Sequence, residues 1–246
     1  MKHSIFHTIF LLTALILLNS CNSIDDCFHG TGEESIEDRT TGSFTGIYLT
    51  SNIHLNVHIS NQQRVQVSAG ENLQKGIEVK TENGILRLDN NNKCNWVRSF
   101  KPRITVDVWT PVLTSLFMED ATGDVQFADT LHEQNFRFDG YSSMGTVNLL
   151  LDCYIATIAT HNGPLDVNAR GRASVQYHYN AGFGVINCNE LQSDNIYINN
   201  KGSNDSKINC ENILEATIEK TGNIYYRGNP TTIKTNISGD GKLIKL

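Results

Sequence analysis

The chain has 246 residues, 39% of them hydrophobic, and a formal net charge of −6. That length can bury a sizeable core. The acidic balance, with no run of Lys and Arg, argues against a nucleic-acid partner, because phosphate binding needs clustered cations.

The chain opens with Lys2 and His3 and an apolar run over 5–18, 14 residues long. A spanning helix needs about 20, so residues 1–20 read as a cleaved export signal. The run ends at Leu18-Asn19-Ser20-Cys21, which resembles the lipobox of bacterial lipoproteins. The resemblance implies lipidation at Cys21, since sulfur is the best side-chain nucleophile near neutral pH. An ordinary signal with a cysteine at its border is the alternative. Two or more acyl chains anchor a protein stably, so palmitate-type acylation at this cysteine implies an outer-membrane lipoprotein. Residues 21–43 are rich in acids and poor in large apolar side chains, and read as a polar tether with no core of its own. Asp25 and Asp26 resemble the surface-export signals of Bacteroidota lipoproteins.

One domain is expected over 44–246. "GIYLTSNIHLNVHI" alternates apolar and polar residues with the strand period of two. "RVQVS", "GIEVK", "GILRLD" and "RITVDVW" follow, separated by turns, and predict early rungs or a β-sheet cap. The polar segment 89–103 reads as an inserted loop. Within it Trp96, Arg98, Phe100 and Lys101 could grip a ligand or fold back as a cap, and capping is favoured because a solenoid must cover its terminal core.

From Leu113 a glycine–x–aliphatic pattern recurs seven times, at Gly123, Gly145, Gly163, Gly184, Ser206 (a serine variant), Gly222 and Gly241. The steps are 22, 18, 21, 22, 16 and 19 residues. Such a period signifies stacked repeats, and the alternation around each glycine makes them strands. The predicted fold class is all-β, a right-handed parallel β-helix (β-solenoid) with rungs of about 20 residues.

"IYYRGNP" at 224–230 and "ISGDGKLIKL" at 237–246 resemble the close of the head GIN domain, an auto-transporter adhesin family. "TGIYLTSNIHLNVHI" and "PVLTSL" resemble its opening and middle. The family's Ser-Gly turns are altered here, as in "NAGFG" and "KGSNDS". The resemblance implies a β-helical, membrane-anchored surface or periplasmic protein, and brings no catalytic residues.

Counted from each glycine, positions two and four later should face inward. The fourth position reads Phe127, Leu149, Val167, Cys188, Cys210, Tyr226 and Lys245. Cys188 and Cys210 therefore read as buried thiols one rung apart, packing as small hydrophobes. Cys27 and Cys94 lie in polar segments and form the more plausible disulfide in an oxidising compartment, leaving Cys153 unpaired. The outward third position reads Gln126, Asn148, Asp166, Asn187, Asn209 and Tyr225. Amides and an aromatic ring suit glycan hydroxyls and faces, so this column is the candidate ligand-binding face. The plainer alternative is that these side chains are solvated or bond along the ladder.

Acids do not stack into a catalytic column, and Asp124, Asp129, Glu119 and Asp120 read as surface charge. His54 and His58 are about 13 Å apart along a strand, too far to share a metal. His161 falls at a turn and His178 at an outward strand position, each without a matched ligand. No catalytic residue, metal site or cofactor is assigned. The expected function is adhesin-like recognition of glycans or surface proteins, without catalysis. A periplasmic structural envelope protein is the alternative, and a carbohydrate-active β-helix enzyme a more distant one.

Overall fold

A computed structural model describes residues 30–93 and 103–246. Cys21, Cys27, Cys94, the signal segment and the aromatic part of the insertion lie outside them.

Seventeen strands are described: β1 (Glu34–Arg39), β2 (Gly46–Leu49), β3 (His54–Ile59), β4 (Arg64–Gly70), β5 (Ile77–Glu82) and β6 (Ile85–Asn90) come first. β7 (Thr105–Thr110), β8 (Ser115–Glu119), β9 (Val125–Phe127), β10 (Leu131–Tyr141), β11 (Gly145–Thr160) and β12 (Leu165–Asn180) follow. β13 (Ile186–Asn200), β14 (Ser206–Ile218), β15 (Ile224–Arg227), β16 (Thr232–Ile237) and β17 (Leu243–Lys245) close the chain. There is no α-helix among the described residues, and the strands stack in parallel coils. The fold is a β-solenoid of about seven turns, with rungs of about 20 residues.

Each rung is a strand, a corner, a second strand and a tight turn. In β11 the inward residues are Val147, Leu149, Leu151 and Cys153, then Ala156 and Ile158. The alternation changes phase between Cys153 and Ala156, where the strand bends from one sheet of the solenoid into the next. Stacked rungs place Val125, Val147, Val167 and Ile186 in one inward column, all fully buried. A second inward column, in the other sheet, runs Phe138, Ile158, His178, Ile198 and Ala216. His178 is thus buried, not outward as the alternation in "SVQYHY" suggests, because the phase change at the corner reverses the faces of everything after it.

The N-terminal half supplies both parallel rungs and a cap. β2 pairs parallel with β6 and β8, and β3 with β7 and β9. β5 and β6 form an antiparallel hairpin closed by Asn83 (φ 51°) and Gly84 (φ 75°), the left-handed pair that a two-residue hairpin turn requires. β4 runs antiparallel to β7, and β1 antiparallel to β4. The stretch 34–39, read as tether, is therefore a strand. Its burial pattern has no apolar face, so backbone pairing and the Asp38–Arg64 ion pair (2.9 Å) hold it. Of the segment 89–103, read as an inserted loop, Asp89 and Asn90 end β6, and residues 94–102 lie outside the described residues.

Two residues of the glycine pattern are out of register. Pairing aligns Gly123, Gly145, Leu165, Gly184, Asn204, Gly222 and Gly241, so Gly163 stands two residues early and Ser206 two late. One consequence concerns the cysteines. Cys210 lies opposite Ser193, not beside Cys188. Cys153, Cys188 and Cys210 are all free and buried. Burial pushes the Cys153 thiol up to about 11 and raises those of Cys188 and Cys210, so each packs as a small hydrophobe.

Candidate functional site

The amide column predicted from the sequence exists, with two substitutions in its membership. Gln126, Asn148, Asn168 and Asn187 stand opposite one another on successive rungs, followed by Lys207 and Tyr225. The Asn168 amide donates to Asn148 Oδ1 (3.1 Å), and the Asn187 amide to Asn168 Oδ1 (3.4 Å). Gln126 donates to the Phe127 carbonyl (2.8 Å). These amides spend their hydrogen bonds along the ladder.

Asp166 and Asn209 are displaced from this column by the two register offsets. Asn209 lies opposite Arg227 and donates to the Asn189 carbonyl (3.4 Å). Asp166 shares a column with Thr146, and its Oδ1 accepts from the Val185 backbone N–H (2.8 Å). Asp124 does the same for Thr146 N–H (2.9 Å), Asp205 for Asn223 N–H (2.8 Å) and Asn223 for Lys242 N–H (2.9 Å). This is a recurring device in which an Asp or Asn at a strand start holds the next rung's amide. Asp166→Ala is therefore expected to destabilise the fold by about 1 kcal/mol, whereas Asp166→Asn should retain most of the stability. Urea unfolding of the two variants checks this.

The other candidates also resolve into local pairs. His54 accepts from Asp124 N–H (3.2 Å), and burial lowers its pKa against the pull of the Asp124 carboxylate. His58 meets Asp107 (3.2 Å) and stacks on Trp109 (centroids 4.8 Å apart). Glu119 accepts from the Tyr48 hydroxyl, and Asp129 from Ile59 N–H (3.1 Å). No group of three or more His, Cys, Asp or Glu suited to a metal occurs among the described residues.

A groove lies elsewhere, on the outer face of the second sheet. Three outward columns meet there. The first runs Arg137, Thr157, Tyr177, Tyr197 and Glu215 from β10 to β14. The second runs Asp139, Ala159, Tyr179, Asn199 and Thr217. Tyr141 and His161 form the third, at the adjoining turns. Except for Asp139 and Tyr141, which lie behind the lining, these residues border a groove of about 530 Å³.

Stacking sets the walls. Tyr177 and Tyr197 lie face to face, centroids 5.2 Å apart and 17° from parallel. His161 stacks on Tyr141 at 3.9 Å and 3°, and meets Tyr179 at 5.3 Å. At one end the carboxylate of Asp139, fully buried, accepts from Arg137 Nε, from Arg137 Nη2 (2.8 Å) and from His161 Nε2 (3.0 Å). That network fixes the imidazole plane and raises the pKa of the Arg137 guanidinium, chiefly through its hydrogen bond to Asp139. At the other end Glu215 pairs with Lys234 (2.6 Å). Each charge at the groove has its counter-charge beside it. The signal was present in the sequence as Tyr177, Tyr179 and Tyr197 in "SVQYHY" and "DNIYIN", but it emerges only once the second strand of each rung has its own register.

Comparison with known proteins gives the chain its relatives. Residues 43–230 match a family model described as "Putative auto-transporter adhesin, head GIN domain". A crystal structure of a "putative adhesin" from Bacteroides fragilis superposes with a TM-score of 0.82 at 19% identity, covering 89% of this chain and 100% of that one. A "putative lipid binding protein" from Parabacteroides distasonis gives 0.62 at 16% identity, over 87% and 97% of the two chains. A "putative adhesin" from Parabacteroides merdae gives 0.61 at 19%, over 88% and 98%. These likenesses show a shared fold. No curated protein matches. With the family model covering most of the solenoid, from just before Phe44 to Pro230, the chain belongs to the head GIN domain family.

Proposed function

We propose that this protein is a lipid-anchored outer-membrane lipoprotein that acts by recognition, in the manner of an adhesin, and carries out no chemistry. Cys21 would bear the lipid after removal of residues 1–20. The solenoid would be the recognition body, and its partners glycans or surface proteins. The observation that supports this most directly is the groove across β10–β14. Stacked aromatic rings and paired charges line it, on a scaffold whose neighbouring rungs are joined by long parallel backbone ladders. A rigid surface of this kind keeps the entropy cost of binding low. Membership of an adhesin family points the same way.

Labelling of intact cells with an antibody against the solenoid tests the reading, with a periplasmic lipoprotein as control. Labelling of the solenoid with the control unlabelled is the expected result, and Cys21→Ser should move the protein out of the membrane fraction. Labelling only after the outer membrane is opened would sink surface recognition and leave a periplasmic structural role.

A further inference from the structure

The groove contains a gap of definite shape. Along the first outward column the side chains are Arg137, Thr157, Tyr177 and Tyr197 on consecutive rungs. Tyr177 and Tyr197 show what full occupancy of two neighbouring places looks like, with rings 5.2 Å apart. Thr157 is too short to continue that stack. In the second column Ala159 lies between Asp139 and Tyr179 but is buried, because the His161 imidazole, bonded to Asp139 (3.0 Å) and 5.3 Å from the Tyr179 ring, spans that place. The rung of β11 is thus low and open at Thr157, with Arg137 and Tyr177 standing on either side. Two rung steps separate β10 from β12, about 10 Å between backbones. After allowance for the thickness of the walls, one flat ring fits between them.

The walls describe the ring. On the β12 side it meets the tyrosine face of Tyr177, 44% exposed. On the β10 side it meets the Arg137 guanidinium, held by Asp139. His161, fixed by Asp139 and Tyr141, closes the turn end. The floor is Thr157. Hydroxyl, amide and carboxylate groups follow along the axis, at Thr157, Asn199, Glu215 and Thr217. A ligand matching this needs apolar faces, donors and acceptors around its edge, and an extended form that continues along the rungs. It needs no net charge, because Arg137 is paired with Asp139 and Glu215 with Lys234. An apolar peptide side chain would satisfy the faces but leave the mixed donors and acceptors of the rim unmatched.

We propose that the gap over Thr157 receives one sugar ring of a neutral, extended oligosaccharide, whose next units lie along the solenoid axis over Asn199 and Thr217. This inference rests on the recognition reading above and names the ligand class of its groove.

Isothermal titration of the full-length protein in detergent tests it, with cellohexaose, chitohexaose, xylohexaose and mannohexaose as neutral probes. Tetragalacturonate and a Phe- and Trp-rich peptide serve as the acidic and side-chain comparisons. At least one neutral hexasaccharide should bind. Thr157→Tyr, which continues the aromatic stack into the gap, should weaken that binding at least tenfold without loss of melting temperature. Tyr177→Ala should weaken it about tenfold. Tyr154→Ala, at an exposed tyrosine outside the groove, should leave it unchanged. Failure of every neutral probe to bind, binding insensitive to Thr157→Tyr, or groove binding confined to the acidic or peptide probe would each overturn the proposal. A protein labelled on intact cells that binds none of the neutral probes would retain its surface role and lose this ligand class. A protein hidden from the surface would lose the surface role whatever it binds in solution.

Discussion

Replacement of Gly184 by alanine is expected to destabilise the solenoid by about 3 kcal/mol or more and to lower its melting temperature by roughly 10 °C. The cause is backbone contact, not backbone torsion. A Cβ at position 184 would lie 1.9 Å from the Leu165 carbonyl oxygen and 2.3 Å from its carbon. Neither atom can rotate away. Relief requires the two rungs to separate, and that pulls on the parallel ladder in which Ile186 pairs with Val167. Gly123 has the same environment, its Cβ meeting the Ile53 carbonyl oxygen at 1.8 Å, so Gly123→Ala should behave alike at the junction of the N-terminal rungs. Gly42→Ala is the control. Its Cβ would meet Thr81 at 3.5 Å, ordinary contact, and the change should stay within about 0.5 kcal/mol. Far-UV circular dichroism melts of the three variants decide the matter. Equal stability of Gly184→Ala and Gly42→Ala would mean that the rungs are not packed at the spacing described.

The same contact explains how much of the fold was legible in the sequence. Where a turn of one rung lies directly over the carbonyl of the last, glycine is required, and the resulting Gly-x-aliphatic recurrence revealed the period and the solenoid. Yet the requirement is steric, and two places in the column meet it otherwise. Leu165 stands there with its side chain buried in the core, and Asn204 stands there with an amide that reaches the Phe183 carbonyl. Taking Gly163 and Ser206 as the markers in those rungs displaced Asp166 and Asn209 by two residues, which keeps the correct face and gives the wrong neighbours. The amide column was consequently right in kind at Gln126, Asn148 and Asn187, and missed Asn168.

Less of the groove was legible, for a different reason. Its residues lie beyond the corner of each rung, where the inward alternation changes phase between Cys153 and Ala156. Nothing in the composition of that corner announces the change. Gly171, at φ 111° with a Cβ position only 2.1 Å from the Leu151 carbonyl oxygen, stands two residues before the β12 equivalent of Cys153 and so does not mark the change. The tyrosines were visible as residues and invisible as a surface. β1 was hidden for the opposite reason, since a strand held through its backbone needs no apolar face to betray it.

The phase change also sets the second large effect, at His178. This imidazole sits in the inward column between Ile158 and Ile198, and burial lowers its pKa from 6.5 to about 4. Its hydrogen bonds define its state. Gln176 donates its amide to the Leu191 carbonyl (3.0 Å) and to Ser193 Oγ, which leaves Gln176 Oε1 to accept from His178 Nε2–H. The opposite nitrogen, Nδ1, is buried with no partner. A proton arriving there would create a charge with no acceptor in the core. In the unfolded chain the same group titrates near 6.5, so between pH 6.5 and 4 the unfolded state binds more protons than the folded one. Stability therefore falls as pH falls through that window, by an amount on the order of 3 kcal/mol from this residue. His178→Ile should remove that contribution, continuing the aliphatic column while leaving Gln176 Oε1 without its donor. At neutral pH the lost hydrogen bond should make the variant somewhat less stable than the native protein. Towards pH 4 the order should reverse, because only the native protein must exclude a proton from its core. Urea unfolding curves of the two proteins at intervals from pH 7.5 to 4 would show the crossing. Parallel curves over that range would mean that His178 is protonated without penalty, and that the interior of the second sheet admits water.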